Sequence, residues 1–283
     1  MAVRIFSAAM GTVSEAVVHV DGVRTFHRRV AGEGPPTIFV HGNPTHSEAW
    51  VPFLDRLEGP AIALDLPGWG FSERPAADRF DYSMHGLGAF FERFLDALGI
   101  REHSVVVHDW GAVALIAEQR RPELLRRLVV IDAVPLLPGY RWHWVARWFW
   151  RRRLVGELAN ATISKAGLRL LSAQATPRRG RMPEEFIELV WRGRRPGSWP
   201  EMLTLYRSAD PERLAQAGER LGSIGAPALV VWGAQDPYLP LSFGRAYAEQ
   251  LPNAELLELD GAGHWPWIDR PDAIDRVVRF VAG

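Results

Sequence analysis

Cysteine is absent from the 283 residues. That excludes disulfides, thiol nucleophiles and cysteine metal sites, and it removes redox chemistry as a guide to compartment. Lysine is nearly absent: Lys165 stands alone and arginine supplies the other basic charges, which reflects a biased genome and not a function. Net charge is absent too, with 33 basic residues against 33 acidic ones, so nothing global points to nucleic acid or to an anionic membrane. No stretch reaches the ~18 apolar residues of a membrane span. The opening MAVRIFSAAMGTVSEAVV lacks a basic start followed by a sustained apolar run, so no targeting segment is read there and a cytoplasmic protein is expected. Internal repeats and low-complexity tracts are also missing.

What is present is ample core material, 47% hydrophobic residues, enough for one large domain. EAVVHVDGVRTFHRRV reads as a hairpin turning at Asp21-Gly22, a pair suited to positive φ. Six short apolar runs follow: PPTIFV, AIALDL, SVVVHD, LVVIDA, PALVVWG and AELLELD. Most are separated by helix-like segments, MHGLGAFFERFLDALG, VALIAEQRRPELLRR, SFGRAYAEQL and PDAIDRVVRFV. Such alternation indicates parallel strands with both faces covered. The rhythm breaks once, between Pro135 and about Asp210, where a Trp- and Arg-rich helical stretch replaces any strand. It begins just past a strand's C-terminal end, the edge where open parallel sheets bind ligands. The expected organisation is a core of residues 1–134 and 213–283 roofed by a helical cap, 135–212.

Three strand ends carry chemistry. In VVVHDWGA, an apolar run stops at Asp109, and Gly111 and Ala112 allow a sharp strand-to-helix turn. That is the elbow geometry usually filled by serine. A carboxylate of ordinary pKa is ionised at neutral pH without a helper base. It is a poor cleaver of esters but suits displacement of a leaving group from an sp³ carbon, giving an ester that water must then hydrolyse. Taken alone, Asp109 also fits a helix N-cap. Asp236 in WGAQDP and His264 in GAGHW each have an equally plain reading, as a turn residue and a structural histidine. Together the three run in the order nucleophile, acid, histidine, so that His264 would activate water and Asp236 would orient the imidazole. HGNP offers a further part. Backbone N–H groups of Asn43 and Trp110 would form an oxyanion hole, and their side chains are neutral donors fit to receive a halide. The plain alternatives are a turn residue and a packing residue.

HGNP, DLPGWGFS, VVHDWG, WGAQDP and GAGHW, in this order, resemble the α/β-hydrolase superfamily, and within it the haloalkane dehalogenase and epoxide hydrolase branches with an Asp nucleophile. The resemblance spans the chain and is weakest in the cap. It implies the α/β-hydrolase fold, a mostly parallel central sheet flanked by helices with a helical cap inserted after the sixth strand. Asn43 and Val107 lean toward the dehalogenases, and the set Asp109, Asp236, His264, Asn43 and Trp110 matches their subgroup with an Asn/Trp halide site. Tyr206, in LTLYRSAD, stands where epoxide hydrolases carry a cap tyrosine that protonates the alkoxide; Tyr140 is a less clear second. YRWHW resembles haloacid-cleaving relatives whose His, Trp and Tyr bind halide, here His143, Trp144 and Tyr206. Those relatives hold a substrate carboxylate with arginines after the nucleophile, where this chain has Trp110 and Val113, so a neutral substrate is expected.

In the cap, Trp144 and Trp148 share a helix face with Tyr140, while Trp142 and Phe149 take a neighbouring face. A basic aromatic helix can lie on an anionic membrane, but no clean basic face is evident. Aromatics lining an apolar pocket are the favoured reading, with Tyr206, Trp144, Trp148 and His143 as pocket residues. The expectation is a hydrolase of carbon–halogen bonds in neutral apolar compounds. It needs no cofactor or metal and has a small-molecule partner, with neither nucleic acid nor membrane involved. Epoxide hydrolysis is the alternative, and a nonhydrolytic binding protein on the same fold is the third reading. Oligomeric state is left open.

Overall fold

The computed structural model describes residues 12–177, 182–194 and 200–283. Residues 1–11 of the N-terminal stretch read above for targeting signals lie outside them. Eight strands form one sheet in the order β1-β2-β4-β3-β5-β6-β7-β8. They are β1 (Ser14–Val20), β2 (Val23–Val30), β3 (Thr37–Val40), β4 (Ala61–Leu64), β5 (His103–Asp109), β6 (Leu125–Ala133), β7 (Ala228–Gly233) and β8 (Ala254–Leu259). The hairpin β1–β2 turns at Asp21 and Gly22, both at positive φ. β2 runs antiparallel to β1 and β4, and every later pairing is parallel. All six apolar runs are strands of this sheet.

The central strands are apolar at nearly every position because both faces are covered. Ile38, Val40, Val105, Val107, Leu128 and Val130 belong to the core on one side. Phe39, Val106, Val129 and Ile131 belong to the core on the other. Period-two alternation thus feeds two cores from each strand.

Met84–Ala97 is helical, with the Ser83 side chain accepting from the Gly86 N–H at its start, as are Leu241–Gln250 and Asp272–Ala282. The helix expected over 113–127 is much shorter, Val113–Glu118. Pro122 opens a separate turn, and β6 already begins at Leu125. Proline disfavours helix in the residue before it, and Leu125 to Arg127 extend the strand edge.

Between β6 and β7 no strand occurs among the described residues, and short helices run instead: Val155–Thr162, Lys165–Ser172, Glu184–Gly193, Pro200–Ser208 and Pro211–Ala217. The segment 146–150 is wound as a π-helix, and Leu154 sits at φ +64° just before the next helix. The aromatic stretch is therefore broken into turns that change direction. Among the described residues, no helix is long and apolar enough to cross a membrane.

Candidate active site

Asp109 ends β5, which lies between β3 and β6. Its backbone stands at φ +49°, ψ −119°, a region that non-glycine residues occupy only when the surroundings force it. The neighbours must be small to allow this bend. A Cβ on Gly42 would run into the Asp109 side chain, and one on Gly111 into the Val40 carbonyl. No side-chain hydrogen bond caps the turn that follows, so the N-cap reading of Asp109 fails.

The carboxylate is 5% exposed as a residue, and its two oxygens have different partners. Oδ1 accepts the Asn43 backbone N–H at 2.8 Å, and the Trp110 backbone N–H also donates to the group. Oδ2 faces His264 Nε2 at 3.6 Å, beyond direct hydrogen-bonding distance. Burial pushes the Asp109 pKa up to about 6, against the pull of His264 and the two N–H donors. With a pKa of about 6 the Asp109 carboxyl is ionised at neutral pH, with a margin narrower than an exposed aspartate would have.

His264 follows β8 on a loop fixed from several sides. Its N–H donates to the Ala175 carbonyl at 2.9 Å, its carbonyl contacts His108 Nε2 at 2.8 Å, and the preceding Gly263 N–H donates to Asp269 at 2.9 Å. Its Nδ1 lies 2.7 Å from Asp236 Oδ2. Asp236 is itself held through Oδ1, which accepts the N–H groups of Tyr238 and Leu239 at 2.7 and 3.1 Å. Burial disfavours the charged imidazole, but Asp236 and Asp109 outweigh it and raise the His264 pKa above its ordinary value. Asp109, Asp236 and His264 therefore meet as the sequence order implied.

A third acid was not singled out from the sequence. Asp132 is fully buried, at φ +34°. The β5–β6 register explains it: Ile131 pairs with His108 and Ala133 with Asp109, so Asp132 is the extra residue of a bulge. Bulges re-aim side chains, and this one turns Asp132 toward Asp236. Both its oxygens also take the Gly233 N–H, at 3.0 and 3.2 Å. Burial first, and then the Asp236 charge, push the Asp132 pKa well above the ordinary carboxyl value, and its side chain is hydrogen-bonded to that of Asp236. The signal in the sequence was an aspartate ending the run LVVIDA, as Asp109 ends its own.

Asn43 and Trp110 both adjoin Asp109. The Asn43 side-chain N–H₂ donates to Met202 Sδ at 3.1 Å, a weak acceptor, while its Oδ1 accepts Trp69 Nε1–H at 3.2 Å. Trp110 Nε1 is buried with no hydrogen-bond partner within normal limits. The Tyr206 ring stands edge-on to Trp110 at 5.1 Å. Burial and Asp109 raise the Tyr206 pKa, while contacts with the Trp110 and Asn43 side chains pull it back down. Three neutral donors thus gather beside the nucleophile.

A cavity of about 100 Å³ opens onto Asp109 and His264, lined by Asn43, Trp142, His143, Val145, Trp150, Leu168, Met202, Tyr206 and Tyr238 among others. His143 lines it but is neutral: burial and His264 lower its pKa to about 4. The Ala146 N–H reaches its Nδ1 at 3.4 Å, which leaves the proton on Nε2. Tyr206 lines it as expected. Trp144 and Trp148 do not; they are 51% and 48% exposed on the outer side of the helical insertion. The face that spacing assigned to Tyr140, Trp144 and Trp148 is not kept: Tyr140 precedes the helix and is buried while the two tryptophans are exposed, and Trp142, Val145 and Trp150 face the cavity instead. Tyr140 is buried against Trp142 and Phe243, away from the lining. Tyr238, which the sequence reading passed over, lies edge-on to His264 at 5.1 Å. Its hydroxyl donates to the Leu171 carbonyl at 3.3 Å. Among the described residues no group of three or more His, Asp or Glu side chains is arranged to hold a metal ion.

An eight-stranded sheet, an aspartate on a forced elbow and a His–Asp pair on the following strand ends define a hydrolase class, and the sequence comparison agrees. The chain belongs to the alpha/beta hydrolase fold family, whose sequence model matches residues 35–271. It is 28% identical over 263 residues to the 2-hydroxymuconate semialdehyde hydrolase of Pseudomonas putida, covering 87% of this chain and 86% of that one. It is 26% identical over 262 residues to haloalkane dehalogenase 2 of Mycobacterium bovis, covering 86% of each. Among solved structures, a haloalkane dehalogenase of Bradyrhizobium elkani matches with a TM-score of 0.79 at 26% identity, over 96% of this chain and 98% of that one.

Proposed function

We propose that the chain hydrolyses carbon–halogen bonds of neutral, apolar compounds through a covalent ester on Asp109. The observation that carries this reading is a pair of neutral side-chain donors beside Asp109 that meet no carbonyl or carboxylate: Trp110 Nε1, in contact only with the Tyr206 hydroxyl, and the Asn43 amide, which meets that hydroxyl and the Met202 thioether. Buried donors are normally satisfied, and an anion arriving at this point would satisfy both.

Asp109 Oδ2 attacks the halogen-bearing carbon. The C–O bond forms as the carbon–halogen bond breaks, and its electron pair leaves on the halide, received by Asn43, Trp110 and the Tyr206 hydroxyl. Oδ1 becomes the ester carbonyl oxygen, already accepting the Asn43 backbone N–H, and with the Trp110 backbone N–H on the same carboxylate two donors are at hand for the tetrahedral oxyanion. Ester formation also removes the Asp109 charge, one of the two that raise the His264 pKa. The imidazole thus becomes a free base when one is needed. His264 takes a proton from water, the resulting hydroxide adds to the ester carbon, and Asp236 stabilises the imidazolium. Collapse expels the alcohol, protonated by His264, and leaves Asp109 as the carboxylic acid, whose proton then passes to solvent as the counterpart of the released halide and restores the carboxylate.

Epoxide hydrolysis is favoured by one observation, the Tyr206 phenol. Burial and Asp109 hold its pKa above the ordinary phenol value, but the Trp110 and Asn43 side chains donate to its oxygen and would steady the phenolate left when it gives its proton to an alkoxide. Halide release from a series of short bromoalkanes, measured beside diol formation from styrene oxide, tests the choice. Bromide release without diol supports the dehalogenase reading, and diol without bromide supports the epoxide one. Turnover of neither would leave the binding-protein reading in possession.

A further inference from the structure

Six of the eight large apolar side chains left exposed among the described residues lie in the helical insertion: Trp144, Trp148, Leu154, Val155, Leu158 and Leu170. Single exposed apolar residues need no explanation, but a run of them marks an interaction surface. The run between 144 and 158 also holds cations without counter-ions. The Arg147 and Arg152 guanidinium carbons lie 5.6 and 4.2 Å from the Trp148 ring centre. Neither these arginines nor the exposed Arg153 forms an ion pair among the described residues, whereas Arg151 is turned inward onto Asp210 and the carbonyls of Tyr206 and Ala209. The one carboxylate in the run, Glu157, is already taken by Arg207. The imbalance extends along the segment. Positions 135–212 hold 14 of the 33 basic residues and 7 of the 33 acidic ones, a net +7 that the rest of the chain offsets with −7.

We propose that this outer face docks on an anionic lipid surface, with Trp144, Trp148, Leu154 and Leu158 at the level where headgroups meet acyl chains and Arg147, Arg152 and Arg153 on lipid phosphates. Arginine stems lie along apolar surface while their heads reach outward, and indole rings settle at that boundary. Charge and chemistry disfavour other occupants. A second copy docked through the same face would set guanidinium against guanidinium. A nucleic acid would use the arginines and stack on the indoles but gain nothing from Leu154 and Leu158, which acyl chains accommodate. The sequence expectation of no membrane partner rested on zero net charge and on tryptophans turned into the pocket. The charge is instead segregated, and Trp144 and Trp148 face out. Because Trp142, Val145 and Trp150 line the cavity from the same stretch, docking would hold the cavity close to a phase in which apolar molecules dissolve. The docking itself does not depend on which reaction the site performs.

Flotation of the full chain with vesicles tests this directly. Vesicles of phosphatidylcholine with a third phosphatidylserine are expected to carry the protein at low salt. Binding should fall at least tenfold on pure phosphatidylcholine, or when salt screens the charges. The double variant Trp144→Ser/Trp148→Ser and the triple variant Arg147→Gln/Arg152→Gln/Arg153→Gln should each lose tenfold or more while circular dichroism and turnover stay unchanged. No flotation with the anionic vesicles overturns the proposal, as does flotation that neither variant reduces. So does equally tight binding to polyglutamate or RNA that the arginine variant alone abolishes, since that is general polyanion binding. So does a concentration-dependent dimer that the tryptophan variant dissociates, which would assign the face to a second copy.

Discussion

His264 Nε2 stands 3.6 Å from Asp109 Oδ2 while its Nδ1 is locked at 2.7 Å to Asp236. The imidazole is fixed from behind and held just short of the carboxylate, the arrangement that the proposed ester route requires of a base and a nucleophile. Removing the base should therefore spare the first step and block the second. His264→Gln is expected to release one equivalent of halide per enzyme and then stall, with steady-state turnover down ~10²–10⁴-fold. Intact-mass measurement should show the alkyl group retained on the protein. Full multiple turnover in that variant would remove His264 as the base.

Burial sets the pH range of the first step. With the Asp109 pKa raised to about 6, the carboxylate is protonated, and unable to attack, below that pH. Single-turnover halide release should fall as pH drops through about 6, not near 4 as for an exposed aspartate. The same shift has a stability sign. A carboxyl whose folded pKa lies above its unfolded value stabilises the fold only while protonated, and that contribution is lost as pH rises through about 6. Asp109→Asn should be more stable than the parent at pH 7.5, by up to about 3 kcal/mol for a shift of about two units, and no more stable near pH 3.5. Thermal melts of both proteins across that range check it.

Asp132 is hydrogen-bonded to Asp236, and a positioning role through that contact makes a distinct prediction. Asp132→Asn keeps a donor toward Asp236 and should retain most activity. Asp132→Ala leaves an Asp236 lone pair and the Gly233 N–H unsatisfied in a buried place, at a cost of about 1–3 kcal/mol. It should slow ester hydrolysis more than ester formation and shift the alkaline or neutral limb of the hydrolysis pH profile that reports His264. Equal loss in both steps, with no change in the profile, would reduce Asp132 to a packing role.

Tyr206→Phe separates the two reactions. It removes one of three halide donors, so halide release should fall by roughly tenfold or less, the size of one neutral hydrogen bond. Diol formation should be lost altogether if Tyr206 is the acid for epoxide opening.

Much of this was readable from particular residues. VVVHD and PALVVWG announced strands because both faces of a central parallel strand must be apolar, AELLELD did so as a half-exposed edge strand, and the charged residues ending or following them mark the sheet edge where Asp109, Asp236 and His264 meet. The helix over 113–127 was too long because the apolar pattern continues past Pro122 into a strand, and periodicity alone does not say which. Asp132 escaped notice because its role depends on a bulge, a relation between two strands that neither carries alone. In the insertion, Trp144 and Trp148 are exposed and Tyr140 is buried, because spacing cannot say where the helix begins or whether a face turns toward the sheet or away. The π-helical turn at 146–150 and the left-handed Leu154 further break the regular helix on which such a reading relies.

The most direct test of the covalent route follows solvent oxygen. In a single turnover in water enriched in oxygen-18, with enzyme in excess over a bromoalkane, the alcohol should contain ordinary oxygen taken from Asp109, and the heavy atom should appear in the peptide bearing residue 109. An alcohol that carries the heavy oxygen in that first turnover, with Asp109 unlabelled, would mean that water attacks the substrate directly and would contradict the ester mechanism.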